Sequence, residues 1–95
     1  MNIDFDKNNG ILSVMLEGRL DTNTAPEFER CLEENLFSDE LVINCEKLSY
    51  VSSAGLRVLL GGQKRTGGKM KLTNVCELVM EVFDMTGFTD ILTIE

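Results

Sequence analysis

The chain has 95 residues, 43% of them apolar and 26% charged, a composition typical of one small soluble domain with a single hydrophobic core. Its net charge of −7 disfavours direct binding to nucleic acid, because the phosphate backbone attracts clustered basic residues. No apolar run approaches the ~20 residues of a membrane span and no signal peptide is evident at Met1, so we expect a cytoplasmic protein with no membrane contact.

Three cysteines and the lack of histidine limit the chemistry of the chain. Cys31, Cys45 and Cys76 are widely spaced and have no histidine to complete a zinc site, so we expect structural thiols, no metal and no cofactor. A nucleophilic cysteine or serine would usually need histidine as its base. The composition therefore favours a protein without enzyme activity.

The first residues predict a β-hairpin. Apolar and polar residues alternate over 2–6, a second strand is predicted over 11–16, and the Asn-Gly pair at 9–10 between them is typical of a tight hairpin turn. In the second strand we expect one set of side chains to face the core, namely Leu12, Val14 and Leu16. Residues 18–23 are then predicted as a loop.

A helix is predicted to begin near Thr24. Thr24 and Glu27 have the spacing of a capping box, in which each side chain binds a free amide at the helix start, and Pro26 is tolerated in a first turn. The apolar residues that follow form one helical stripe, namely Ala25, Phe28, Leu32 and Leu36, with Cys31 at its border. We expect the acidic residues on the other face to be solvated.

The middle of the chain predicts a strand, a pair of serines and a second helix. After a turn over 37–40, the apolar run 41–44 is typical of a strand buried on both faces in a mainly parallel sheet. From Leu56 onward the apolar residues have helical spacing, so Ser52 and Ser53 lie where a loop becomes a helix. Serine commonly caps the free amides there, and a helix start also favours a negative group such as phosphate.

The last third of the chain predicts a short strand, a third helix and a closing strand. The pair Gly61-Gly62 is unfavourable within a helix, and close packing against another backbone could explain it, although the sequence does not show such packing. Gly67-Gly68 suits a left-handed helix end. Met70 and Leu72 are expected on the buried face of the strand. Asn74, with Glu77 three residues later, is predicted to cap the third helix, and 91–94 to form the last strand. The helical stripe comprises Val75, Leu78, Val79, Val82, Phe83 and Thr86, and Gly87 ends it.

The resulting order, β-β-α-β-α-β-α-β, indicates an α/β fold. We expect a single small domain over 1–95, with a mixed, mostly parallel β-sheet, an N-terminal hairpin and alternating helices packed on the sheet. The functional loops of such sheets gather at the carboxyl ends of the strands. Residues 21–24 and 52–55 are therefore expected to share one surface.

Three separated segments form a pattern that covers nearly the whole chain. Residues 48–60, LSYVSSAGLRVLL, contain a strand that leads into a helix through a segment of the type [Asp/Ser]-Ser-[Ser/Thr/Ala]-Gly-Leu. Residues 18–25, GRLDTNTA, resemble Gly-x-Leu-Asp-x-x-Thr-Ala, and 72–75 and 83–88 resemble a closing strand, helix and glycine turn. In these motifs and their order the chain resembles the STAS domain family of bacterial anti-sigma-factor antagonists.

The resemblance implies a protein-interaction module that works by partner switching. The unphosphorylated domain would bind an anti-sigma factor of the GHKL serine kinase class and thereby release the sigma factor. That kinase would then phosphorylate the domain and dissociate from it, and a PP2C-type phosphatase would remove the phosphate and restore binding. The motif places the phosphoacceptor on Ser53. Ser52 is the alternative, because this chain has Ser52 where many relatives have aspartate.

The same motifs imply a partner-binding surface of Asp21, Thr24, Ser52, Ser53, Ala54, Gly55, Leu56 and Arg57. Asp21 is equally compatible with capping its own loop. Leu56 suits a core position as well as a partner contact. Arg57 suits either an acidic patch on the partner or an ion pair within its own chain. The oligomeric state, monomer or weak dimer, is left open.

Two other classes of function are compatible with parts of the pattern. STAS-like domains also occur in sensors, so a stand-alone module that binds a nucleotide or another small ligand is an alternative, although no P-loop pattern is present. A serine hydrolase would need histidine and a Gly-x-Ser-x-Gly elbow, and this chain has neither.

Overall fold

In the computed structural model, which describes residues 1–37 and 40–95, strands and α-helices alternate in the predicted order. The elements are β1 (Asn2–Asn8), β2 (Ile11–Leu20), α1 (Ala25–Asn35), β3 (Glu40–Val51), α2 (Ser53–Arg65), β4 (Met70–Thr73), α3 (Glu77–Thr86) and β5 (Thr93–Ile94). The sheet order is β1-β2-β3-β4-β5, with β1 and β2 antiparallel and the other pairs parallel. The predicted mixed, mostly parallel sheet is confirmed. The predicted turn over 37–40 lies partly outside the described residues.

The N-terminal hairpin follows from its turn sequence. Asn9 and Gly10 both have positive φ, 51° and 75°, and the register pairs Asn8 with Ile11. A two-residue turn with positive φ at both positions matches the right-handed twist of the strands, and asparagine and glycine adopt it at low cost. The predicted hairpin is confirmed.

The hydrophobic core lies on one face of the sheet. Leu12, Leu41 and Met70 are neighbours across three strands and have no exposed surface. The helices cover this face with side chains that include Phe28, Leu32, Leu59, Val79 and Phe83. On the opposite face Val42 and Asn44 are only half-buried. The prediction that 41–44 is buried on both faces is therefore wrong, because the core cluster draws on all three described helices and lies on the Leu41 side.

Two strands run further than their sequence patterns predict. β2 continues to Leu20, through the first half of the predicted loop 18–23, and β3 continues from the predicted end at 44 to Val51. The register between them shifts twice, between Met15 and Glu17 and between Gly18 and Arg19. Each shift places an extra residue on β3. These bulges break the alternation of inward and outward side chains on β3, which concealed the second half of that strand, whereas β2 keeps the alternation to Leu20.

Two predicted helix caps are not formed. Thr24 is the N-cap residue of α1, but its side chain makes no cap hydrogen bond, so the predicted capping box with Glu27 is wrong. The third helix begins at Glu77 after Cys76 as N-cap, instead of being capped by Asn74. Asn74 has φ of 55° and its Nδ2 donates to Asn44 Oδ1 at 3.1 Å, so it forms a left-handed turn beside β3.

The C-terminal region also differs from its prediction. Of the stripe predicted for α3, Val79 and Phe83 are fully buried, whereas the Leu78 side chain is 60% exposed. A 3-10 turn spans Phe88–Asp90, and the last strand is Thr93–Ile94 instead of 91–94. The left-handed end after α2 is confirmed by positive φ at Gly67 and Gly68.

Candidate functional site

The serine pair divides into a cap and the first residue of a helix. Ser52 has extended backbone, and its Oγ accepts a hydrogen bond from the Gly55 amide at 3.4 Å, so it is the N-cap of α2. Ser53 is the first residue of α2 and its side chain is exposed. The Ser52 hydroxyl therefore has a structural partner, while the Ser53 hydroxyl lies at the surface.

Asp21 and Thr24 build the turn that precedes α1. Asp21 Oδ1 accepts hydrogen bonds from the amides of Asn23 at 3.0 Å and Thr24 at 3.2 Å. Thr24 Oγ1 accepts from the Asp21 amide at 2.9 Å and donates to the Arg19 carbonyl at 2.7 Å. Asp21 thus fills the loop-capping role that its position in the sequence allowed. The Thr24 hydroxyl is bound within the same turn instead of capping α1.

The Asp21 carboxyl is held in its ionised form by this turn. Desolvation raises its pKa, but hydrogen bonds from the Asn23 and Thr24 amides and the Thr24 hydroxyl, together with the Arg19 charge, outweigh this effect, so the pKa lies below its ordinary value. The Arg19 Nε lies 3.8 Å from Asp21 Oδ2. The turn therefore carries a fixed negative charge near neutral pH.

The Asp21 turn and the serine pair lie side by side, as predicted. The Ser52 amide donates to the Leu20 carbonyl at 2.9 Å, which joins the end of β2 to the start of α2. Gly55 lies directly over the same residue, since a Cβ atom added there would be 2.7 Å from Leu20 Cγ and 2.9 Å from Leu20 O. Only glycine allows this close approach of helix and strand.

The remaining motif residues differ in their accessibility. Gly55 is buried, and Leu56 is 6% exposed and belongs to the core cluster, which agrees with the core position considered for Leu56. Ala54 is half-buried and Arg57 is exposed. A shallow groove on the α3 side of α2 is lined by Ser53, Leu56, Arg57, Leu60, Thr86 and Phe88. The accessible surface at the motif thus consists mainly of Ser53, Arg57 and partly Ala54.

Arg57 lines grooves on both sides of α2. Besides the groove that contains Ser53, it lines two neighbouring grooves on the α1 side, one with Glu29 and Ala54 and the next with Glu29 and Arg65. Within residues 1–37 and 40–95, Arg57 forms no ion pair that meets a 4.0 Å limit. Of the two possibilities in the sequence, an ion pair with its own chain is therefore not the one observed.

A contact between Arg19 and Tyr50 was not found by sequence reasoning. The Arg19 guanidinium lies 4.3 Å from the centre of the Tyr50 ring, a cation–π geometry, at the carboxyl ends of β2 and β3. Arg19 and Tyr50 are the second-last residues of β2 and β3, just before the Asp21 turn and the serine pair, and this position was the signal available in the sequence. The pair extends the surface formed by Asp21 and Ser53.

The three cysteines lie outside this surface and are free thiols. Burial, with a smaller effect of nearby Cys76, raises the pKa of Cys45 to about 12. Among the described residues no group of cysteine and carboxylate side chains is arranged to hold a metal. Within the same ranges no helix has the length and apolar character needed to cross a bilayer.

Comparison with known proteins agrees with this geometry. The family model of the STAS domain matches residues 2–95. The anti-sigma-B factor antagonist of Bacillus subtilis (strain 168) is 33% identical over 98 aligned positions, which cover 99% of this chain and 90% of that protein.

Solved structures show the same fold. The anti-sigma factor antagonist SpoIIAA in its unphosphorylated form has a TM-score of 0.83 at 20% identity, covering 99% of this chain and 88% of that chain. SpoIIAA of Bacillus in its phosphorylated form has a TM-score of 0.74 at 19% identity, covering 99% and 91%. With sequence pattern, fold and relatives in agreement, the chain belongs to the STAS domain family.

Proposed function

We propose that this domain is an anti-sigma factor antagonist that works by partner switching. In its unphosphorylated form it binds an anti-sigma factor of the GHKL serine kinase class, so that the sigma factor is released. Phosphorylation of Ser53 ends this binding, and a PP2C-type phosphatase restores it. The proposal is supported by the names of its relatives and by the phosphorylated form known for SpoIIAA. The observation that carries it is the exposed hydroxyl of Ser53 at the start of α2.

The choice of Ser53 over Ser52 rests on accessibility and hydrogen bonding. Ser52 caps α2 through Gly55 and is half-buried, so its modification would remove a helix cap. Ser53 is exposed and its hydroxyl makes no hydrogen bond within the described part of the chain. In the transfer, Ser53 Oγ bonds to the γ-phosphorus of ATP, the bond to ADP breaks, and the kinase takes the hydroxyl proton.

The switch follows from charge at a small surface. A phosphate adds about −1.5 to −2 charges and three hydrogen-bond acceptors. In a docked complex it would have to be desolvated beside the apolar side chains of the Ser53 groove, which include Leu60 and Phe88. Every 1.4 kcal/mol of lost binding free energy weakens a complex about tenfold. A penalty of about 3–4 kcal/mol would separate the partners without any change of fold.

Phosphorylation by the cognate anti-sigma factor kinase tests the acceptor. The purified domain is incubated with kinase and ATP, and phosphate is located by mass spectrometry of peptides. We expect one phosphate on Ser53, none on Ser53→Ala, and normal phosphorylation of Ser52→Ala once its folding has been checked by circular dichroism. Unchanged phosphorylation of Ser53→Ala would show that the acceptor lies elsewhere.

Binding of the anti-sigma factor tests the charge mechanism. Ser53→Asp should weaken binding at least about tenfold in calorimetry, because even one negative charge is placed in the docking surface. Thr93→Asp is the matched control. Thr93 is exposed on β5 opposite Lys71, at the other end of the sheet and roughly 30 Å from Ser53 along β3. If both variants bind like wild type, charge at Ser53 does not control the complex.

A further inference from the structure

Ser53 and Arg57 are one helical turn apart on α2. Residues four apart on a helix have Cβ atoms about 5–6 Å from each other, and an acidic group four residues before a basic one is the favourable orientation. Both side chains are exposed and line the same groove. A phosphate on Ser53 would therefore lie within reach of the Arg57 guanidinium.

Arg57 is available for such a contact. Within residues 1–37 and 40–95 it forms no ion pair, and the opposite wall of the Ser53 groove contributes the uncharged residues Thr86 and Phe88. On the other side of Arg57, the α1 wall contributes Glu29. Asp21, in the neighbouring turn, is already bound by backbone amides and approached by Arg19. Glu29 is therefore the carboxylate with which a phosphate would compete for Arg57.

We infer that Arg57 is the intramolecular partner of phosphorylated Ser53, an inference that rests on the proposed function and assigns a second residue to its switch. Guanidinium and phosphate form paired, charge-assisted hydrogen bonds whose planar geometry lysine does not reproduce. The ion pair would change the surface in two ways at once. It adds the negative charge of the phosphate and withdraws the positive charge of Arg57 from an incoming partner.

The second ionisation of the phosphate measures this contact directly. Phosphoserine is placed at position 53 by chemical or encoded incorporation, so that no kinase is needed, and its ³¹P signal is titrated with pH. The free group has a second pKa of about 6, and a nearby positive charge favours the dianion and lowers it. We expect Arg57→Gln to raise this pKa by about 0.3 unit or more relative to the otherwise unchanged phosphoprotein.

Arg65→Gln is the matched control, because Arg65 is exposed on the same helix but lies two turns further along. It should leave the phosphate pKa unchanged, and Arg57→Lys should retain part of the effect. In 1 M salt the difference caused by Arg57→Gln should shrink, because an exposed ion pair is screened. Equal pKa values in wild type, Arg57→Gln and Arg65→Gln would overturn the inference. Since no kinase or anti-sigma factor takes part, that result would leave the proposed partner switching standing.

Discussion

Replacement of Gly55 by alanine tests whether the close contact between β2 and α2 holds the site together. The added Cβ would lie 2.7 Å from Leu20 Cγ and 2.9 Å from Leu20 O. The side chain could move, but the carbonyl oxygen accepts the hydrogen bond from Ser52 N at 2.9 Å and belongs to the backbone. The helix start must therefore shift away from the strand.

Gly61 provides an internal reference for the magnitude. It lies in the same helix, and a Cβ added there would have no heavy atom within 4 Å. Alanine at Gly61 should stabilise the domain by about 0.5–1 kcal/mol through helix propensity alone. Alanine at Gly55 gains no more than this and loses about 1–3 kcal/mol to overpacking. The free energies of unfolding of the two variants should thus differ by about 1–3 kcal/mol, with Gly55→Ala the less stable.

Urea denaturation followed by circular dichroism at 25 °C measures both values under one linear extrapolation. Because the substitution and the helix are the same, most of the propensity effect cancels in the difference. If Gly55→Ala and Gly61→Ala change the stability equally, the contact with Leu20 does not restrict position 55. The reasoning about the junction would then be refuted.

Three further predictions concern the serines, the Asp21 turn and the thiols. Ser52→Ala should lower the free energy of unfolding by about 0.5–1 kcal/mol, the low end for a helix cap, because the cap hydrogen bond is 3.4 Å long. Ser53→Ala should leave the free energy of unfolding nearly unchanged in the same urea titrations. The folded-state pKa of Asp21 is lowered, so its ionised form stabilises the fold above about pH 4 and this contribution is lost as pH falls. The loss of unfolding free energy caused by Asp21→Asn at pH 7 should therefore become smaller at pH 3. An equal loss at both pH values would contradict a stabilising role of the ionised Asp21 carboxyl. With a disulfide reagent at pH 8, Cys76 should react well before Cys45, because burial raises the pKa of Cys45 to about 12. The labelled cysteines are identified in tryptic peptides, and faster labelling of Cys45 than of Cys76 would contradict the burial of Cys45 in β3.

The hairpin and the core were predicted well because their signals are local. The turn at Asn9 and Gly10 depends on two residues that tolerate positive φ. Leu12, Val14 and Leu16 lie at every second position and are buried, as predicted. The stripe of α1 is likewise buried at its predicted positions. In β2 and α1 the spacing of the apolar residues matches the repeat of the strand and of the helix, respectively.

Other features depended on contacts with distant parts of the chain. The role of the two glycines after Leu60 is one example. A Cβ at Gly62 would lie 3.0 Å from Met70 Sδ and 3.2 Å from Leu41 Cδ2, which explains Gly62, whereas Gly61 has open space. The exposure of Leu78 is a second example, because the apolar positions of a helix do not show which of them the sheet will cover.

The sequence by itself determined the order of the elements, the hairpin, the inward faces of β2 and α1, and the position of two serines where a loop becomes a helix. It did so because turn chemistry and hydrophobic period act between near neighbours along the chain. Only the tertiary structure decided that Ser52 is the cap and Ser53 is exposed, that Asp21 and Thr24 bind each other, and that Gly55 faces Leu20. These features depend on how the Asp21 turn after β2 and the serine pair after β3 lie beside each other. The register of β2 on β3, with its two bulges, and the packing of α2 set the distance between these two segments.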